Sequence, residues 1–138
     1  TTYFATKEPV VTVRISQEAL DLTIVAAHPL PPFTKDIAAG RQAHLRGLGQ
    51  YISLLEQPVL LLGDLNVTEF SPLFDDLVAT AGLQSFRSNQ GLFGTWPAQL
   101  PAPLRIGIDH VLYKGAMQPR VTIGEPNGSD HLPLILEI

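Results

Sequence analysis

Apolar residues in this chain come in short runs that break off abruptly at polar ones. "VVTVRI" (10–15) is β-branched and alternates weakly, and "LDLTIVAAH" (20–28) is a longer apolar run closed by "PLPP". Both are predicted strands, close enough to form a hairpin around Gln17–Asp21. Between 34 and 56 the period lengthens: Ile37, His44, Leu45, Leu48, Ile52 and Leu55 share one stripe at spacings of three and four, which predicts a helix. Thr34 is its N-cap, with Asp36 in the first turn. Gly40, Gly47 and Gly49 weaken it, each by roughly 1 kcal/mol relative to Ala. Pro58 ends that helix and opens a short buried strand at 59–63. Residues 71–83 carry full helix punctuation, with Ser71 as N-cap, Pro72 at the first position and Gly82 past the end. Residues 84–104, with "GTWP" and "LPAPL", read as loop, and strands are predicted at 106–113, 119–124 and 132–138. This order describes a mixed α/β (α+β) layer arrangement. Its strand pairs are mostly antiparallel, because several connections are too short for a crossover helix.

Composition sets the outer limits. The chain has 138 residues, 45% apolar and 16% charged, enough for one domain with a core and with no repeat or linker to divide it. The formal net charge is −4 and the nine Lys and Arg are scattered. There is no basic patch and no strong sign of duplex DNA binding. Without cysteine there are no disulfides, no thiolate metal ligands and no thiol nucleophile. No apolar run approaches the length of a membrane span. The N-terminus, "TTYFATKEPV", has no signal-peptide apolar region and no initiating Met, so the chain is read as part of a longer protein.

The candidate chemistry lies where strands end. "LLLGDLN" (60–66) is a buried run that stops at Asp64 and Asn66, which point the same way along an extended chain. His28 ends "LTIVAAH", Asp109 and His110 interrupt "RIGIDHVLY", and Ser129, Asp130 and His131 precede "LPLILEI". Taken singly, each has a plain reading. Gly-Asp-Leu-Asn and Asn-Gly-Ser-Asp are turn sequences, Asp109 could cap a loop, and His28 before Pro29 could be a surface histidine. His44, on the helix stripe, and His110, facing away from Asp109, are assigned to packing. Four such clusters require an explanation, because unpaired carboxylates beside apolar strands are costly unless they share a cleft, a partner or a metal.

"HPLPP", "LLLGDLN", "TWP", "GIDHVLY" and "GSDHLPL" occur in the order found in the endonuclease/exonuclease/phosphatase (deoxyribonuclease I-like) superfamily. The chain resembles that superfamily over nearly its whole length, most closely a bacterial branch. The resemblance implies Mg²⁺- or Mn²⁺-dependent hydrolysis of a phosphate ester, as a phosphodiesterase, nuclease or phosphatase, by in-line attack of water. By resemblance, Asp64 orients or deprotonates the water, Asn66 donates its amide to a phosphoryl oxygen, and His28 donates to the phosphate or leaving oxygen. His131 contacts the phosphate. Asp130 holds the His131 ring or serves as the metal ligand, and Asp109 lies near the leaving group. The alternative is a non-catalytic binding or scaffold domain that retains the fold.

The superfamily's principal glutamate ligand comes from the first half of its domain. Glu8, Glu18, Glu56, Glu69, Glu125 and Glu137 all stand in the wrong context for it. Residues 1–138 are therefore expected to be the C-terminal part of such a domain, half of a four-layer α/β/β/α sandwich with one sheet and its helices. This fragment should be inactive alone and expose a sheet face suited to self-association. Bacterial relatives of this branch often carry an N-terminal membrane segment, which this chain cannot show, so the resemblance leaves the compartment open.

Overall fold

The computed structural model describes residues 1–4, 6–18, 20–56, 58–85, 94–117 and 119–138. Its main sheet has six strands. They are β1 (Thr2–Tyr3), β2 (Pro9–Gln17), β3 (Leu20–Ala27), β4 (Val59–Asp64), β5 (Gln84–Ser85) and β6 (Asp109–Lys114). Their spatial order is β1-β2-β3-β4-β6-β5. The expected hairpin is formed, with Gln17 paired to Leu20. β3 and β4 are parallel, and the helix α1 (Lys35–Ser53) makes the crossover between them. The remaining pairs of the sheet are antiparallel.

Both helices begin where their caps predict. Thr34 accepts from the Ile37 N–H at the start of α1, and Ser71 accepts from Leu73 at the start of α2 (Pro72–Ala81). Gly82 closes α2 at φ 66°, a left-handed conformation that glycine adopts without steric cost. α1 stops at Ser53, three residues short of expectation, as Leu54 and Leu55 turn back onto Tyr51 and Ile52.

The last two strands depart from the expectation of one sheet. Among the described residues, β7 (Arg120–Ile123) and β8 (Leu134–Glu137) pair only with each other. They lie on the back of the main sheet, where Val121, Leu134 and Leu136 pack with Leu22, Leu60 and Val111. The front face packs on the helices, with Val25, Val59, Leu61 and Leu112 against Leu45, Leu48 and Ile52 of α1 and Phe74 and Leu77 of α2. The run Val59-Leu60-Leu61-Leu62 is thus continuous in sequence because alternate residues fill two different cores. Each fully buried leucine contributes roughly 1.5–3 kcal/mol. Two very short strands, β1 and β5, were not legible in the sequence, and β5 replaces the start of the expected 84–104 loop; residues 86–93 of that loop lie outside the described residues. Among the described residues, no helix is long and apolar enough to cross a membrane.

The topology brings four strand ends to one edge. Parallel β3 and β4 both finish there, delivering His28 and Asp64. β6, antiparallel to β4, begins there with Asp109, and the loop before β8 arrives with Asp130 and His131.

The back face is covered unevenly. Val11 pairs with Ala26 and Val13 with Ile24, yet Val11 is 43% and Val13 50% exposed. Ile123, on the same side of the β7–β8 ribbon as Val121, is also exposed. We propose that copies of this chain associate through this apolar face. Sedimentation velocity at tens of micromolar is expected to show dimers or larger species, with a shift toward monomer in the Val11→Lys/Val13→Lys variant. A wild-type chain that stays monomeric at those concentrations contradicts the proposal.

Candidate active site

Gly63 sets the position of everything after it. Its φ is 145°, and a Cβ there would stand 2.0 Å from the Ala27 carbonyl oxygen. Glycine alone lets β4 run this close to β3 at the end of the sheet. Leu65 then turns inward, fully buried, and its N–H bonds the Ile108 carbonyl at 2.9 Å. Asp64 and Asn66, on either side of it, are left facing the cleft. The Asn66 N–H donates to Asp64 Oδ1 at 2.8 Å, an Asx-type turn, and Asn66 sits at φ 51°, which asparagine tolerates better than most residues. Its amide Nδ2 donates to the Pro29 carbonyl at 2.9 Å, and Arg41 donates from a terminal nitrogen to the Asn66 carbonyl.

Asp64 and Asp109 are register partners across β4 and β6. His131 lies between their carboxylates: its Nδ1 is 2.8 Å from Asp109 Oδ2, and its Nε2 is 3.9 Å from Asp64 Oδ2. The largely exposed His28 approaches the same Asp64 oxygen to 3.6 Å. Burial pushes the Asp64 carboxyl up. The Asn66 N–H works against that rise, Asp109 adds to it, and the two histidines oppose it. At His131, burial pulls the imidazole down, but the bond to Asp109 and the charges of Asp109, Asp64 and Asp130 together outweigh it. The ring is held above its ordinary value.

The loop carrying His131 is stapled to the sheet by residues 95–98. Thr95, fully buried, donates its hydroxyl to Asp109 Oδ2 at 2.5 Å and accepts the Leu132 N–H at 3.0 Å. Ala98 N–H bonds the Asp130 carbonyl at 2.8 Å, and Trp96 Nε1 donates to Asp130 Oδ2 at 3.2 Å. Trp96 and Ile106 form a short bridge and the Ile108 carbonyl is taken by Leu65, so β6 begins only at Asp109. Likewise the Leu132 N–H is taken by Thr95 and the Pro133 carbonyl by Gly124, and β8 begins at Leu134 rather than at residue 132.

His28, Asp64, Asn66, Asp130 and His131 line one cleft of about 640 Å³, and Asp109 contacts it from behind through His131. All six residues singled out in the sequence therefore converge. Their pairing differs from the expectation in one respect: Asp109, and not Asp130, holds the His131 ring, while Asp130 accepts from Trp96. Both packing histidines are tied into the structure. His110 Nε2 is 2.7 Å from the Val67 carbonyl and its ring packs on Phe74, whereas buried His44 meets Thr6 Oγ1 at 2.7 Å. Thr95, Trp96 and Arg41 also support the site, beyond the six residues named from the sequence. "TWP" carried a signal for the first two. For Arg41 the signal was a cation four residues from both Ile37 and Leu45, on the buried stripe of α1.

A carboxylate oxygen of Asp64, one of Asp109 and a ring nitrogen of His131 all lie within 4.8 Å of one another, close enough to share a cation. Carboxylates, histidines and a carboxamide are thus gathered at one end of a mixed sheet on an α/β scaffold. The chain belongs to the Endonuclease/Exonuclease/phosphatase family, whose pattern it matches over residues 3–131. Among solved structures it is similar to a beta toxin mutant from Staphylococcus aureus with bound magnesium ions (TM-score 0.71, 15% identity, 94% of this chain and 57% of that one). It is also similar to an endonuclease/exonuclease/phosphatase from Beutenbergia cavernae (0.69, 22%, 94% and 38%). A third likeness is to sphingomyelinase C from Streptomyces griseocarneus (0.62, 18%, 94% and 57%). The chain thus spans little more than half the length of the beta toxin and sphingomyelinase chains. Compared by sequence with curated proteins, it matches none.

Two substitutions test this construction. Gly63→Ala forces a Cβ onto the Ala27 carbonyl and is expected to cost about 3 kcal/mol or more in urea unfolding; near-wild-type stability contradicts the assigned role. Thr95→Val keeps the shape but removes a charge-assisted bond, with an expected loss of about 1–3 kcal/mol. No loss would show that the Thr95 hydroxyl does not support Asp109.

Proposed function

We propose that this chain supplies most of the active site of a divalent-metal-dependent phosphoester hydrolase that works by in-line attack of water. The observation that carries this reading is the Asp109–His131–Asp64 cluster with His28 and Asn66 on one cleft. Asp64 is raised by burial and stands within reach of two imidazoles, which suits it to orient an attacking water and take its proton. The His131 Nδ1 is held by Asp109, which leaves Nε2 facing Asp64 and the cleft: protonated, it donates to a phosphate oxygen, and neutral, it offers a lone pair to a cation. Asn66 donates one amide hydrogen to Pro29 and keeps a second for a phosphoryl oxygen, a bond that a carboxylate could not offer. His28, exposed at the cleft mouth, donates to the phosphate or to the departing oxygen. Water is the nucleophile, and no covalent intermediate with the protein is required.

Asp64, Asp109 and His131 fit a divalent cation by their ligand atoms and by their chemistry, since two carboxylate oxygens and one imidazole suit Mg²⁺ or, better, Mn²⁺. Asp130 on the cleft wall is proposed as a further carboxylate toward it. When bound, the ion would neutralise charge on the phosphoryl oxygens. The glutamate implied by the resemblance belongs to an upstream half-domain in this proposal, and without it the chain holds the ion weakly. The intact cluster favours catalysis over a scaffold that merely retains the fold.

The test is calorimetric titration with Mg²⁺ and Mn²⁺, alongside turnover of bis(p-nitrophenyl) phosphate. The 138-residue chain is expected to bind weakly and turn over little, and a chain joined to its upstream half should do both well. Micromolar affinity with clear turnover in the short chain overturns the half-site proposal, and an inactive long chain overturns the hydrolase reading. In the long chain, Asn66→Asp is expected to be nearly as damaging as Asn66→Ala, on the order of 10²-fold in kcat, because repulsion of phosphate adds to the lost donor. Wild-type activity in the Asp variant removes Asn66 from this role.

A further inference from the structure

Arg41 occupies a costly position. It lies on the apolar stripe of α1 and lines the cleft beside Asn66. Burial pulls its guanidinium below the ordinary value. Among the described residues it forms no ion pair with a carboxylate, and its buried Nε has no hydrogen-bond partner. A half-buried cation without a counter-ion lowers stability, and an apolar residue of similar length would fill the stripe at less cost.

What the guanidinium does hold is the Asn66 carbonyl. Three bonds fix this residue at its positive φ, each from a different part of the fold. Its N–H goes to Asp64 at the end of β4, its side-chain amide goes to Pro29 after β3, and its carbonyl is held by α1 through Arg41. The first two are made by the groups that must also serve the reaction. Arg41 is the anchor outside the reacting set, and a bond donated by a charged group is about twice as strong as a neutral one. We infer that Arg41 is a positioning residue: by clamping the Asn66 carbonyl it locks the turn that aims the Asn66 amide into the cleft. This inference rests on the proposed role of Asn66 at the phosphate. Lysine has a shorter reach and no planar fork, so it replaces the charge but only part of the geometry.

The experiment compares wild type with Arg41→Met and Arg41→Lys. In the 138-residue chain, amide hydrogen exchange is read by NMR at Asn66, with Val25 and Leu61 in the core of the sheet as controls. In Arg41→Met, exchange at Asn66 should quicken by about ten-fold or more while Val25 and Leu61 hold. The melting temperature should be equal to or above that of wild type, and Arg41→Lys should recover part of the Asn66 protection. Unchanged exchange at Asn66, or faster exchange throughout the sheet, overturns the inference; the second result would mark a purely structural residue. In the longer, metal-loaded chain, Arg41→Met should lower kcat by about ten-fold with little change in KM, and should add little to Asn66→Ala. Loosened exchange with unchanged kcat overturns Arg41 as a positioning residue for the reaction. If wild type itself does not turn over, that result falls on the hydrolase reading, and exchange alone decides whether Arg41 holds Asn66.

Discussion

Two carboxylates directly opposite each other on neighbouring strands repel, and the site is built around one such pair. Asp64 and Asp109 are register partners at the end of β4 and β6, both partly removed from water. Left alone they would favour another register or a shared proton. The structure instead places the His131 ring between them, bonded to one and facing the other. Thr95 adds a second donor to the same Asp109 oxygen. The loop before β8, the staple at residues 95–98 and the turn at Asn127–Ser129 all serve to bring that ring to that gap. The same carboxylates, with the His131 ring, would also stabilise a cation on their cleft side, so the chemistry and the architecture share one electrostatic cause.

Topology does the rest. A parallel pair puts two strand ends on the same edge, and the antiparallel neighbour starts there. Four polar segments from positions 28 to 131 therefore meet without any one of them crossing the core. The two apolar clusters on opposite faces of the sheet fix the strand register on both sides at once. A slip by one residue between β4 and β6 would move Asp109 away from Asp64 and break both cores, which is why packing far from the cleft still governs the geometry within it.

Much of this was legible in the sequence for local reasons. Thr34, Ser71, Pro72 and Gly82 mark helix ends through bonds made within a few residues, and the strand ends at His28 and Asp64 are visible as abrupt changes in polarity. What escaped depends on distant partners. Asp130 is the sequence neighbour of His131, so it was the natural candidate to hold the ring. The bond goes to Asp109, 22 positions away, because the register of β6 sets which carboxylate faces Nδ1. The separation of β7 and β8 into their own sheet, the two-residue strands β1 and β5, and the clamp from Arg41 to Asn66 are likewise properties of the assembled chain. Arg41 came closest to being readable, since a cation on a buried stripe is an inconsistency that a purely structural helix would not keep.

The central claim is that Asp64, Asp109 and His131 form one cation-accepting centre around which His28 and Asn66 are arranged. Paramagnetic broadening by substoichiometric Mn²⁺ in ¹⁵N–¹H spectra of this chain tests it most directly, because it reports position even when binding is weak. The account predicts that the first signals lost are those of residues 28, 64–66, 109 and 131, with the surface of α1 and the β7–β8 sheet spared at the same ratio. Broadening centred elsewhere, or spread evenly over the exposed acidic residues, would contradict it.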